Sequence, residues 1–321
     1  MYGIISQSVA GHTVILIGLI FGLLATYLLL RFPPAFLPKD HGRAFAVNGA
    51  LSKGKIRGVG LILVAVFLIC GLLFLPLSRE YEIDGALLFL MMLSGYLDDA
   101  SRNPWSDYKK GTIDLIISIL AVANFLLNNP GEVYFFSYHF TLHPVVYGIL
   151  GIVLIWASVN VTNCSDGVDG LCGSVSVVAL LSYAMIFYRE MGETYTASAV
   201  LMAATLLAYL RFNWSPSTQL MGDAGSRSIG IWLAILAMRS RHPFSFLLIC
   251  LVFILDGGLG LVKVFIMRFF KIPFLKNIRF PLHDQLRKNL GWKDVPVVLF
   301  MLGCQIFMSV LTGILVYLSR V

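Results

Sequence analysis

Apolar residues occupy this chain in long runs, and its polar residues are gathered into short stretches between them. Runs close to the about 20 residues that a helical membrane span requires fall near 12–31, 58–77, 84–97, 111–128, 144–162, 171–188, 194–210, 226–238, 243–268 and 295–319. The pattern predicts an all-α integral membrane protein with about ten transmembrane helices in a single polytopic domain over residues 1–321. The ninth run is too long for one straight crossing and carries Asp256-Gly257-Gly258 in its middle. A bent ninth helix is expected there, with an apolar groove open to lipid beside its second half. Between 129 and 143 the pattern changes to β formers around Tyr134, Phe135, Tyr138 and Phe140, which predicts a short β-hairpin.

Composition strengthens the membrane reading. The chain is 58% hydrophobic and only 13% charged, with a mean hydropathy of +0.83, against about 25% charged residues in soluble domains. The first run has no basic residue ahead of it and no small-residue cleavage site behind it, so it is read as a span and not as a signal peptide. The five cysteines form no CxxC pair and imply neither a disulfide framework nor a zinc site.

The net charge of +7 would admit a nucleic-acid partner, but its placement argues for a different role. If successive loops alternate sides, 18 of the 24 Lys and Arg fall in 31–57, 98–110, 163–170, 211–227 and 268–294. The positive-inside rule puts those loops in the cytoplasm and both termini outside, which makes the hairpin extracellular. The charge is then topological, with anionic headgroups and phosphates as its further partners and nucleic acid excluded.

The acids are sorted by side as well. All five glutamates lie in the outer loops, whereas nine of the twelve aspartates lie in the inner ones. Asp98 and Asp99 end the third span, where the negative end of the helix dipole disfavours them. They call for a bound cation or for Arg102, Lys109 and Lys110 just beyond. The octet Asn163-Cys164-Ser165-Asp166-Gly167-Val168-Asp169-Gly170 and the cassette Met221-Gly222-Asp223-Ala224-Gly225-Ser226 both place aspartate beside glycine at inner span ends. Short oxygen ligands on short polar loops suit Mg²⁺ with phosphate co-ligands. Lys53-Gly54-Lys55-Ile56-Arg57-Gly58 adds basic residues beside glycine at a helix start, a composition that suits phosphate. Asp114, near the start of the fourth span, reads as a capping or structural acid.

Taken together, Asp98-Asp99, Asn163-x-x-Asp166-Gly167-x-Asp169-Gly170, Met221-Gly222-Asp223-x-Gly225-Ser226, and Pro281-x-His283 with Gly291-Trp292 resemble the polyprenyl-phosphate N-acetylhexosamine-1-phosphate transferases. The resemblance runs from the Lys53 region to Trp292 and is nearest to the branch acting on UDP-MurNAc-pentapeptide. It implies transfer of phospho-MurNAc-pentapeptide to undecaprenyl phosphate at the inner face of a bacterial plasma membrane, with release of UMP, formation of lipid I for peptidoglycan synthesis, Mg²⁺ as cofactor and a homodimer. It further implies a catalytic set of Asp98, Asp99, Asp223 and His283, with Asp223 as the metal ligand. Lys53, Asn163, Asp166, Gly167, Asp169 and Asn213 would bind the nucleotide sugar. The chain departs from the family pattern in places: a customary triple histidine reads His283-Asp284-Gln285, a customary Gly-Thr-Pro-Thr-Met-Gly-Gly reads Gly54-Lys55-Ile56-Arg57-Gly58-Val59-Gly60, Leu220 stands where an aromatic often precedes Met-Gly-Asp, and Asp114 stands where a lysine is expected.

Two other readings stand beside this one. A sister enzyme would take UDP-GlcNAc in place of UDP-MurNAc-pentapeptide. A secondary transporter would also show ten spans, a broken helix and buried acids, but would place its coupling residues near the midplane.

Overall fold

The computed structural model describes residues 2–5, 11–42, 52–101, 103–135, 138–189 and 192–318. Helices α1 (Gly11–Arg31), α2 (Gly60–Phe74), α3 (Arg79–Asp99) and α4 (Asp107–Asn128) are followed by a hairpin of β1 (Glu132–Phe135) and β2 (Tyr138–Thr141). Helices α5 (Pro144–Cys164), α6 (Leu171–Arg189), α7 (Glu193–Asn213) and α8 (Gly222–Arg239) come next. An interrupted helix, α9 (residues 245–269), precedes α10 (Asp294–Leu318). The ends are set by local chemistry. Ser78 accepts from Tyr81 N–H at 3.2 Å, Ser106 from Lys109 N–H at 3.3 Å, and His143 caps α5 just before Pro144.

Six of these helices are long and apolar enough to cross a membrane: α1, α4, α5, α6, α7 and α10. The other four runs fall short for separate reasons. Helix α2 is apolar but has 15 residues. Helix α3 extends beyond the expected 84–97 to take in Arg79, Glu80 and Glu82 at one end and Asp98 and Asp99 at the other. Helix α8 carries Asp223, Arg227 and Arg239, and α9 is broken into pieces.

The bundle is built around α8, every residue of which from Gly222 to Arg239 is buried. A helix without an exposed face belongs to an interior. It packs mainly against α3 and α5. Small residues bring the backbones together: a Cβ on Gly95 would strike the Asp223 carbonyl, and one on Gly60 would strike the backbone of Gly225. Trp232 of α8 fills the middle, edge-on to Phe67 at 5.1 Å and to Tyr81 at 6.0 Å. Around this centre, α1 buries Val14, Gly18, Gly22, Thr26 and Leu30 on one stripe, while Leu16, Ile20 and Leu24 remain exposed on another. Apolar surface turned outward on that scale is what lipid covers.

The far end of α8 is anchored by a buried ion pair. Arg239 reaches Asp84 with Nε at 2.9 Å and Nη2 at 3.1 Å, and also pairs with Glu80. Asn124 and Tyr195 donate to the same Asp84 carboxylate at 2.7 and 3.0 Å, so α3, α4, α7 and α8 are tied at one point. Farther along α8, Arg227 pairs with Asp114 of α4. Asp114 is therefore a structural residue, and the capping of α4 falls to Ser106.

The expected hairpin forms, with Glu132 opposite Thr141 and Tyr134 opposite His139. The interruption of the ninth helix also forms. Residues Ser245–Ile249 and Leu251–Phe253 are α-helical, Ile254–Gly258 makes a π turn, and Leu259–Phe269 resumes as an α-helix with no buried residue. A π turn in mid-helix is one of the identifiable causes of a break. Beside it lies an apolar groove of about 450 Å³ between α5 and α9, lined by Tyr147, Leu150, Trp156, Phe244, Leu259 and Val262. The five cysteines are all free.

Candidate active site

Asp98, Asp99 and Asp223 converge where the end of α3 meets the start of α8. Asp223 is not in a loop but in the first turn of α8, and the residue before it, Gly222, has a φ of 67°. That left-handed turn suits glycine, and a Cβ there would also collide with the Asp99 carboxylate. Asp99 Oδ2 accepts from Ala224 N–H at 3.1 Å, which places a carboxylate on the positive end of α8. The cost of ending α3 on two acids is thus offset by the start of a neighbouring helix.

Two cations complete this cluster. Arg57 donates from Nε to Asp99 at 2.7 Å, from Nη1 to Asp40 at 3.1 Å and from Nη2 to Asp223 at 3.4 Å. Lys110 pairs with Asp98 and lies 3.1 Å from Asp223 Oδ2. Asp98 also accepts the backbone N–H of Trp105 at 2.7 Å. Of the three basic residues expected to compensate the acidic pair, Lys110 does so. Lys109 lies over the Trp105 ring at 3.3 Å, and Arg102 is outside the described residues. Burial opposes the Arg57 charge, but Asp99 and Asp223 outweigh it and hold the guanidinium charged well beyond its usual range. Burial likewise pushes the Asp40 carboxyl up, yet the bonds from Ser52 and Arg57 win and its pKa is lowered.

A second wall is built from the octet. Asp169 Oδ2 accepts Ser217 N–H at 2.8 Å and lies 3.5 Å from Lys55 Nζ, which also donates to Ser217 Oγ at 2.8 Å. Asn213 accepts Gly170 N–H at 2.9 Å and donates to the Gln219 carbonyl at 2.9 Å, so it fastens the octet to the segment leading into α8. Asn163 is half-buried in the last turn of α5, and Asp166 is half-buried in the turn beyond, its N–H bonded to the Asn163 carbonyl at 3.2 Å. Lys53 stands exposed on its turn, and the lysine against Asp169 is Lys55, two positions on.

A third group closes the opposite side of the octet. His283 is buried, and its Nε2 would lie 2.5 Å from a Cβ placed on Gly167. Arg287 donates to the Gly167 carbonyl at 3.2 Å and to Asp284 at 2.8 Å. Asp256, from the π turn of α9, accepts the His283 backbone N–H at 2.8 Å. The sequence marked Asp256 as an ionisable group at membrane depth but gave no sign that it would meet His283, because 26 residues separate them. It named Lys55 and Arg57 only within a basic stretch suited to phosphate and gave the binding role there to Lys53.

Among the described residues, no three or more His, Cys, Asp or Glu side chains come together as a ready metal cage. The donor set still suits Mg²⁺, which takes one or two carboxylates and leaves its other positions to water and substrate phosphate. Asp223, with Asp98 and Asp99 beside it, offers such carboxylate oxygens.

A family model described as glycosyl transferase family 4 matches residues 85–241, a stretch that holds the Asp98-Asp99 pair, the octet and the α8 cassette. Phospho-N-acetylmuramoyl-pentapeptide-transferase of Treponema pallidum (strain Nichols) is 37% identical over 306 residues, covering 88% of this chain and 84% of the relative. The proteins of that name from Clostridium beijerinckii and Campylobacter lari are each 29% identical, over 88% and 86% of this chain and 91% and 87% of their own. With that identity across nearly all of both chains, and the acidic motifs gathered at one end of the bundle, the chain belongs to the phospho-N-acetylmuramoyl-pentapeptide transferase family.

Proposed function

We propose that the protein transfers phospho-MurNAc-pentapeptide from its UDP-linked form to undecaprenyl phosphate, giving lipid I and UMP. The observation that carries this reading is the meeting of Asp98, Asp99 and Asp223 with Arg57 and Lys110 at the confluence of α3, α4 and α8. A phosphate nucleophile approaching a diphosphate is opposed chiefly by charge, and fixed cations beside metal-competent carboxylates relieve that repulsion.

In this mechanism a lipid phosphate oxygen attacks the phosphorus attached to the sugar, in line with the departing UMP oxygen. One P–O bond forms, the P–O bond to UMP breaks, and the electron pair leaves on UMP. Asp223 would hold Mg²⁺, with Asp98 and Asp99 beside it, and when bound the ion would supply neutralisation of diphosphate charge. Arg57 and Lys110 add fixed positive charge on the approach. Lys55, Asp169, Asn163, Asp166 and Gly167 form the nucleotide-sugar wall, which Asn213 keeps in place, and His283 faces it from the other side. The groove between α5 and α9 receives the prenyl chain.

The membrane arrangement belongs to the same proposal. The ten helical units α1 to α10 each cross the bilayer, with both termini and the β-hairpin outside and Asp98, Asp99 and Asp223 at the cytoplasmic face, a reading that the distribution of Lys and Arg supports. The active unit is a homodimer, which the mass of the detergent-solubilised protein tests.

The deciding experiment incubates purified protein with undecaprenyl phosphate, Mg²⁺ and either UDP-MurNAc-pentapeptide or UDP-GlcNAc, and measures UMP. Release with the pentapeptide substrate alone, dependent on the lipid, is expected. Release with UDP-GlcNAc alone would make the chain the sister enzyme. Absence of release with both, together with solute flux in proteoliposomes, would make it a transporter.

A further inference from the structure

Asp256 is fully buried, at 0% exposure, in the π turn Ile254–Gly258. A carboxylate so placed needs strong partners. It accepts the His283 backbone N–H at 2.8 Å through Oδ1 and the Ser165 hydroxyl at 2.8 Å through Oδ2. His283 Nδ1 lies 3.1 Å from Oδ1 and 2.9 Å from Oδ2. An ionised carboxylate would only accept, so Nδ1 would be the donor to it, and a ring with that single proton would leave Nε2 with its lone pair. Nε2 is the nitrogen that meets Gly167 in the octet; Asp284 Oδ1 lies 3.8 Å from it and is itself bonded to Arg287.

The π turn makes this meeting geometrically tight. A Cβ on Gly257 would lie 2.5 Å from the Cβ of Cys164 and 3.1 Å from the Val161 carbonyl, so this turn presses directly on the end of α5 that leads into the octet. Three segments remote in sequence are thereby joined at one carboxylate: Ser165 of the octet, the middle of α9 and the start of the His283 turn. On the other side, Ile254 and Gly258 line the apolar groove.

We propose that Asp256 is a positioning residue that fixes His283 as the Nδ1–H tautomer and turns Nε2 onto the Gly167 wall of the nucleotide-sugar pocket. The inference deepens the transferase reading and rests on it for its kinetic arm. Asp256 is fully buried and its printed partners are His283 and Ser165, so its removal is expected to reach the nucleotide-sugar pocket chiefly through His283.

The test combines a kinetic cycle with a spectroscopic readout. Asp256→Leu and His283→Ala are each expected to lower kcat by about a hundredfold, with less than about a threefold change in KM for the nucleotide sugar. The double variant is expected to be no slower than His283→Ala alone. Losses that multiply in the double variant would overturn the proposal, because they would mean that Asp256 supports the site independently of His283. Where Asp256→Leu does not fold, Asp256→Asn serves: its amide oxygen still accepts from Nδ1, and a loss of less than about tenfold is expected.

Nitrogen-15 histidine labelling reads the tautomer directly in wild-type protein, with His283→Ala giving the assignment. An Nδ1–H signature for His283 is expected, and an Nε2–H signature would overturn the proposal whatever the activity. Wild-type protein that shows the Nδ1–H signature but releases no UMP would leave this inference standing and overturn the transferase reading instead.

Discussion

Arg57 Nε lies 2.7 Å from Asp99 Oδ1, so the segment before α2 is held to the last residue of α3 by a charge-assisted bond at the mouth of the site. The same guanidinium spans Asp40 and Asp223, and its planar fork suits that task better than an ammonium does. Arg57→Ala is expected to lower UMP release by about 10–100-fold, the value of one or two charged hydrogen bonds. Arg57→Lys should recover only part of it. Full activity in the alanine variant would remove Arg57 from the reaction.

Asp223 occupies the meeting point of Lys110, Arg57 and the start of α8. Asp223→Asn should abolish UMP release at any practical Mg²⁺ concentration while the protein still elutes as a folded species. Activity that returns at high Mg²⁺ would mean that Asp98 and Asp99 suffice to hold the metal.

Lys55 and Lys53 are separated by one glycine but stand in different surroundings. Lys55 contacts Asp169 and Ser217, whereas Lys53 is exposed. Lys55→Ala should raise KM for the nucleotide sugar by about tenfold, as expected for loss of one charge-assisted contact. Lys53→Ala should leave it within about twofold. The reverse order would give the binding role to Lys53.

At the other end of the bundle, Asp84→Ala would leave the buried Arg239 with Glu80, a partly exposed acid, in place of its bidentate partner. A loss of about 3–5 kcal/mol is expected, seen as a lower melting temperature in detergent. Turnover per folded molecule should be unchanged, because this ion pair lies at the end of α8 opposite Asp223.

Asp40 links stability to pH. Its folded pKa is lowered below the 3.8 of a free aspartate, so its bonds to Ser52, Gly42 and Arg57 contribute fully above that value. That contribution is lost as pH falls through the lower folded value. Melting curves of wild type and Asp40→Asn should differ at pH 7 and converge in strong acid. Curves that stay equally far apart at every pH would show that the Asp40 charge is not the cause.

Much of the architecture was legible because lipid imposes a coarse rule. Long apolar runs become helices, and the positions of α1, α4, α5, α6, α7 and α10 follow directly. The glycine pair after Asp256 likewise marked the break in α9. The limits of that rule appear in α3 and α8, whose charged ends were set outside the expected spans and prove to be helical. Lys110, expected just beyond the acidic pair, answers Asp98, whereas Asp99 is answered by Arg57 from a segment distant in sequence, and hydropathy carries no record of that pairing. The site was legible as a set of aspartates. Which cations answer them, and that Asp256 meets His283, depends on packing across α2, α4, α5 and α9.

The complete enclosure of α8 has a consequence for assembly. A helix bearing Asp223, Arg227 and Arg239 is a poor independent insert into hydrocarbon, where each charge is costly. Its acceptance requires Asp114 and Asp84 to be waiting on α4 and α3. Both are made earlier in the chain, so the order of synthesis supplies the counter-charges before α8 emerges. The aspartate proposed to hold the metal therefore rides on a helix that the bilayer alone would refuse, and the site comes into being only when the bundle closes around it.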